Sequence, residues 1–175
     1  MTLSFSQKFP NGRPTYFIEK IYSGFERLYN PCQEYHDYYQ MYVQKFGKEW
    51  SQIDALDFPA YNHKVHTIRR DSKNRWKVGN DIHFVINNRT KDRFQFAPIL
   101  KVTKIQTIEI DYCIKDEPHP IVIIDGSHFY NPKLGIDKGI NLLAMADGFD
   151  SIEKLFGWFS EDFTGKIIHW TDLYY

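Results

Sequence analysis

Cysteine is scarce in this chain of 175 residues. Cys32 and Cys113 are the only two, which excludes a disulfide scaffold and a multi-cysteine metal knuckle. Each reads as a small core residue rather than a nucleophile. Long apolar runs are missing as well. No stretch approaches the roughly 18 apolar residues that cross a bilayer, and the opening Met1–Pro14 lacks the apolar core of a secretion signal. These absences lead to the expectation of a soluble cytoplasmic protein with no membrane partner. Net charge is also missing: Lys plus Arg and Asp plus Glu are both 22, so no global field draws nucleic acid or anionic lipid. There is no Gly-x-Gly-x-x-Gly, no Walker loop and no Gly-x-Ser-x-Gly. No two of the seven histidines have the i, i+4 spacing of a metallohydrolase, and His63 with His66 in strand-like sequence is a poor metal pair. Neither a metal nor a cofactor is expected.

An apolar share of 42%, with 17% aromatic, is enough to bury a core, so the chain is expected to fold as one domain over 1–175. The zero net charge hides an asymmetry. Between His63 and Lys104 stand Lys64, Arg69, Arg70, Lys73, Arg75, Lys77, Arg89, Lys91, Arg93, Lys101 and Lys104, against Asp71, Asp81 and Asp92, a local balance of +8. A basic middle in an acidic frame suits an anion-binding face. Solvated strand edges also carry Lys, but arginine forks match phosphate geometry better than solubility requires.

The first third predicts helices. Pro14 suits a first helical turn, and Phe17, Ile18, Ile21, Phe25 and Leu28 follow at helical spacing until Asn30-Pro31. A second helix carries Tyr35, Tyr38, Tyr39, Tyr42 and Phe46 on one face and ends at Gly47. That stripe suits either base stacking or a half-buried core face, and the core reading is favoured. From Lys64 to Tyr112 the pattern changes to strands: Val65–Arg69, Ile82–Ile86 after a Gly79-Asn80-Asp81 turn, Phe94–Phe96 after Asn87-Asn88, then Ile99–Ile110. Past Pro118 and Pro120, Ile121–Ile124 predicts a buried strand closed by Asp125-Gly126. Ile136, Ile140, Leu143 and Ala144 predict a helix stopped by Gly148. Asp150 with Glu153 predicts a capping box, ahead of a stripe through Ile152, Leu155, Phe156, Phe159 and Phe163. Gly165 precedes a last strand, Lys166–Trp170. Strands grouped in the middle with helices at both ends predict an α+β domain on a small mixed β-barrel.

The segment His63–Asp71 carries the most chemistry. On a strand, Lys64, His66, Ile68 and Arg70 share one face, and Val65, Thr67 and Arg69 the other. A desolvated Lys, a Thr hydroxyl and a carboxylate form a small hydrolytic unit if a bulge brings them together. A solvated basic strand explains the same residues and, on composition alone, is favoured.

A helix ending in Gly (Phe17–Gly24), Lys64-Val65-His66-Thr67-Ile68-Arg69, the turn and strand in Arg75–Ile82, and Ala146-Asp147-Gly148-Phe149-Asp150-Ser151 before a helix follow one another in an order that resembles the ASCH-domain family, whose fold is a PUA-like β-barrel. The likeness covers 14–24 and 63–175, and the order of the motifs carries it. It departs from compact members in a helical insertion, 25–62. The resemblance implies two activities. One is binding of RNA or a modified nucleoside, with Arg69, Arg70, Arg75, Lys77 and Lys91 on phosphates and Trp76 or a Tyr stacking on a base, unless Trp76 is a barrel-rim core residue. The other is amide hydrolysis of an acetylated cytidine. There the family's Lys, Thr and Glu fall on Lys64, Thr67 and Asp147, with Arg69 shaping the pocket. Asp147 is one methylene shorter than Glu, and a ~1 Å displacement can cost about a hundredfold in rate. A third option is an adaptor acting through the Tyr-rich insertion. Oligomeric state is left open.

Overall fold

The computed structural model describes residues 1–25, 32–50, 63–112 and 119–175. Leu28, Asn30-Pro31, Cys113, Pro118 and residues 51–62 of the insertion lie outside the described residues, as does the Cys32 side chain. The chain forms two compact units, each built from two stretches: 1–64 with 80–101, and 65–79 with 102–175.

In the first unit, β1 (Thr2–Phe5) runs parallel to β3 (Asp81–Ile86), pairing Leu3 with Phe84. β3 pairs antiparallel with β4 (Phe94–Gln95) and with β5 (Leu100–Lys101). α1 (Phe17–Phe25) is buried along its whole length, Glu19 and Lys20 included. Its apolar positions meet an aromatic cluster in which Phe84 stacks on Phe5 at 5.9 Å and takes the Phe25 edge at 5.7 Å. α2 (Cys32–Phe46) turns its tyrosines inward. Tyr42 packs on Trp50 and Phe94, each at 5.3 Å, and Tyr35 on Tyr22 at 5.1 Å, so the stripe is core. Gly47, at φ +62°, closes this helix with its N–H on the Val43 carbonyl, as the sequence predicts.

The second unit holds a six-stranded sheet in the order β2 (His66–Arg69), β10 (Phe163–His169), β6 (Lys104–Asp111), β7 (Ile121–Ile124), β8 (Ser127–Asn131), β9 (Ile136–Asp137), each neighbouring pair antiparallel. β6 alternates, with Gln106, Ile108 and Ile110 buried and Thr107 and Glu109 exposed. Asp125 and Gly126, at φ +49° and +76°, form the tight β7–β8 turn; both residues need positive φ there. α3 (Ile140–Ala146) and α4 (Ile152–Trp158) complete the unit. Neither sheet is closed into a ring by a strand pairing among the described residues.

The α+β class is as expected; several local expectations are corrected. Strands are not confined to the middle, because β1 opens the chain. Pro14 forms an isolated bridge with Lys8, and α1 starts only at Phe17. Ile136 belongs to β9, not to α3. The cap of α4 is Ser151, whose hydroxyl accepts from the Lys154 N–H, whereas Asp150 pairs with the Lys154 ammonium. Phe163 lies in β10, and Gly165 sits inside that strand rather than before it.

Candidate functional site

Lys64 and Lys91 belong to the first unit; Thr67, Asp147, Arg69, Arg70, Arg75, Trp76 and Lys77 belong to the second. In the first unit Lys64 is 1% exposed. Its N–H donates to the Lys20 carbonyl at 2.8 Å, and its ammonium lies 4.7 Å from the Phe17 ring centre, a cation–π contact. Beside it on α1, the Glu19 carboxyl accepts from the Tyr35 hydroxyl at 3.3 Å. Burial pushes Glu19 up to about 7, against the opposing pull of that hydroxyl and of Lys20. Lys91 is exposed.

In the second unit, a hydrogen bond from the Val65 N–H to the Ala146 carbonyl, 2.9 Å, ties the start of β2 to the end of α3. Asp147 follows directly, and its Oδ1 lies 3.7 Å from His66 Nδ1, both side chains buried. Thr67 is buried and pairs with Ile168 of β10. Burial lowers the Arg69 guanidinium below its ordinary value, while the negative charge of Asp147 opposes the shift. Thr67, Arg69 and Asp147 thus share one unit.

After β2 the chain turns around Asp71, whose two carboxylate oxygens accept the N–H groups of Arg75 and Trp76, each at 2.9 Å, while the Lys166 ammonium lies 3.2 Å away. That turn holds Arg70, Lys73, Arg75 and Lys77 in solvent and folds Trp76 inward, 5% exposed. The burial of Trp76 fits the core role rather than an open stacking platform.

A hollow of about 310 Å³ lies between Ile68-Arg69-Arg70 and the turn from α4 into β10, Trp158 to Glu161 with Phe163. The Arg70 guanidinium sits 5.4 Å from the Phe163 ring centre. Gly165 makes this wall possible. A Cβ there would fall 2.5 Å from the Arg69 carbonyl oxygen and 2.6 Å from the Phe163 ring. Sequence reasoning found Arg69 and Arg70 but not Phe159 and Phe163 in the same wall, which it placed on a helix stripe. It also missed His169 as a site residue. That histidine, polar within the run Ile167-Ile168-His169-Trp170, was the available signal. Burial pushes His169 down to about 4, helped by the positive charge of Lys104 and opposed by Asp125.

Among the described residues no group of three or more His, Cys, Asp or Glu side chains could hold a metal ion, and no helix is long and apolar enough to cross a membrane. The structure defines an α+β protein whose second unit combines a cation-edged aromatic hollow with a buried His–Asp pair. Comparison with protein-family models, with curated proteins and with solved structures returns no match.

Proposed function

We propose that this chain binds RNA or a modified nucleoside, and that the hollow beside Arg70 is where the ligand sits. The observation that carries the reading is the combination in one concave place of a guanidinium over an aromatic ring, Arg70 on Phe163, in about 310 Å³ of space. That volume is at the lower end of small-molecule sites. The half-buried Trp158 ring at the edge of the hollow gives a base a face to stack on, and the exposed Arg70 meets its phosphate. Arg75 and Lys77, exposed on the adjoining loop, extend the positive surface along a strand backbone. The resemblance to the ASCH family, including closure of a PUA-like barrel, belongs to this proposal. So do a cytoplasmic setting and the phosphate role of Lys91. The resemblance draws its support from the helix at Phe17, the strand at His66–Arg69 and the Asp147–Ser151 link into α4, each in the expected order.

The test is anisotropy of a labelled single-stranded RNA of about ten nucleotides, a length near one stacking-groove site, titrated at several salt concentrations. Binding should weaken by about 0.7 log units per log unit of salt for each phosphate neutralised. Arg70→Ala should weaken it further, and Arg75→Ala/Lys77→Ala should reduce the salt slope. Absence of binding at low salt, or binding indifferent to salt and to all three substitutions, rejects the reading.

Amide hydrolysis of an acetylated nucleoside is the second reading, favoured by the burial of Thr67 and Asp147 in one unit with His66 3.7 Å from Asp147. Release of cytidine from acetylcytidine, lost in Thr67→Val and in Asp147→Asn, is its signature; no release by the wild type removes it. The adaptor reading has no comparable support, since the tyrosine face of α2 is packed.

A further inference from the structure

The second unit contains a polar socket that shares His66 with the hydrolysis reading and is otherwise outside both readings above. Past β10, the segment Thr171–Tyr175 adopts no regular structure and folds back over the sheet. Its last side chain reaches His66, where the Tyr175 hydroxyl and His66 Nε2 are 2.7 Å apart. The Tyr175 ring packs on Phe129 at 5.3 Å, His66 at 5.5 Å and His169 at 6.0 Å. Gln106, buried on β6, holds the Tyr175 main chain with both ends of its amide: Nε2 donates to the carbonyl at 2.9 Å and Oε1 accepts the N–H at 3.0 Å.

Of the two imidazoles against the ring, that of His66 meets the Tyr175 hydroxyl through Nε2 and that of His169 does not. His169 is 0% exposed, and among the described residues neither of its ring nitrogens has a hydrogen-bond partner. Burying an imidazole with both nitrogens unmet is costly. Tyr175 fills the space with an aromatic ring and one hydroxyl placed on His66, yet leaves both ring nitrogens of the neighbouring His169, 6.0 Å away between ring centres, without a hydrogen bond. The tail is therefore a partial match to its own socket.

We propose that the space filled by Tyr175 is an exchangeable socket for a hydroxyaromatic ligand, with Thr171–Tyr175 as its resident plug. A hydroxyl at the Tyr175 position engages His66. A second, adjacent hydroxyl, as in a catechol, engages His169. Phe129 and the two imidazoles clasp the ring. A tethered plug competes at an effective concentration of about millimolar, so free ligand binds the wild type weakly and a plug-less variant more tightly.

The probes are toluene, p-cresol and 4-methylcatechol, titrated into Tyr175→Ala and into wild type. Binding is followed by the imidazole 15N resonances of His66 and His169. In Tyr175→Ala the expected order is 4-methylcatechol, then p-cresol, then toluene, each step about fivefold, the ratio one net hydrogen bond gives. His169→Phe combined with Tyr175→Ala should erase the first step and keep the second. Wild type should show the same order with weaker affinities. Equal binding of toluene and p-cresol marks a plain apolar cavity and overturns the proposal. A catechol preference that survives His169→Phe overturns the role of His169. Where Tyr175→Ala does not fold, the wild type decides. Saturable His169 shifts with 4-methylcatechol but not toluene support the socket, and unshifted resonances reject it.

Discussion

Gly165→Ala is the sharpest single perturbation of the second unit, because its cost follows from geometry alone. Gly165 lies inside β10 opposite Ile108 of β6, with β2 on the other side. An added Cβ would stand 2.5 Å from the Arg69 carbonyl oxygen and 2.6 and 2.7 Å from two Phe163 ring atoms. Carbon–carbon contacts settle at about 3.5–4.0 Å, so close to 1 Å must be found. The Phe163 ring can rotate away, but the Arg69 carbonyl belongs to the β2–β10 pairing and moves only if the strands part. Overpacking of this kind costs about 1–3 kcal/mol. Backbone involvement places this site in the upper half, about 2 kcal/mol or more by urea denaturation. Rotating Phe163 also removes the ring beneath Arg70, so under the proposed function nucleotide affinity should fall with stability. Gly157→Ala is the matched control: Gly157 lies in α4 with nothing within 4 Å of its added Cβ. Removing a helix-interior glycine should stabilise by about 0.5–1 kcal/mol. A Gly165→Ala protein within about 0.5 kcal/mol of wild type, the ordinary spread of surface substitutions, would refute the reasoning about the strand approach and the hollow wall built on it.

Three further predictions concern single polar side chains. Glu19 keeps its proton up to about 7 in the folded state against 4.5 as an ordinary carboxyl, so the folded state binds more protons between those values and stability falls as pH rises through that window. Relative to Glu19→Gln, wild type should lose roughly 3 kcal/mol between pH 4.5 and pH 7 in urea titrations; a flat difference contradicts the burial of that carboxyl. Asp71→Ala frees the Arg75 and Trp76 N–H groups and the Lys166 ammonium at once. It should cost about 2 kcal/mol and expose Trp76, seen as a red-shifted fluorescence maximum. Ser151→Ala should cost about 1 kcal/mol as the lost α4 cap, and Asp150→Ala less than half of that.

Much of the fold was legible where a local rule decides it. Ile82–Ile86 reads as a strand from β-branched content, the tyrosine helix from its spacing, and Asp125-Gly126 as a tight turn from residues that tolerate positive φ. β1, β8 and β9 were not legible, because strands this short draw their stability from partners rather than from pattern. In β8 only Phe129 and Asn131 are buried, so Ser-His-Phe-Tyr-Asn shows little alternation. The choice between Asp150 and Ser151 as cap turns on backbone direction, which composition does not encode. The site was half legible. Arg69 and Arg70 stand in a visible basic stretch, but Phe163 meets Arg70 only through β2–β10 pairing, and Tyr175 meets His66 only through a returning tail.

The proposal that a nucleotide-like anion is held in the hollow beside Arg70 can be read out residue by residue from backbone 15N–1H shifts on titration with single-stranded RNA. The largest changes should fall on Ile68–Arg70, Phe159–Phe163 and Arg75–Lys77, and should disappear in Arg70→Ala. Changes concentrated elsewhere, or an unchanged pattern in that variant, would contradict it.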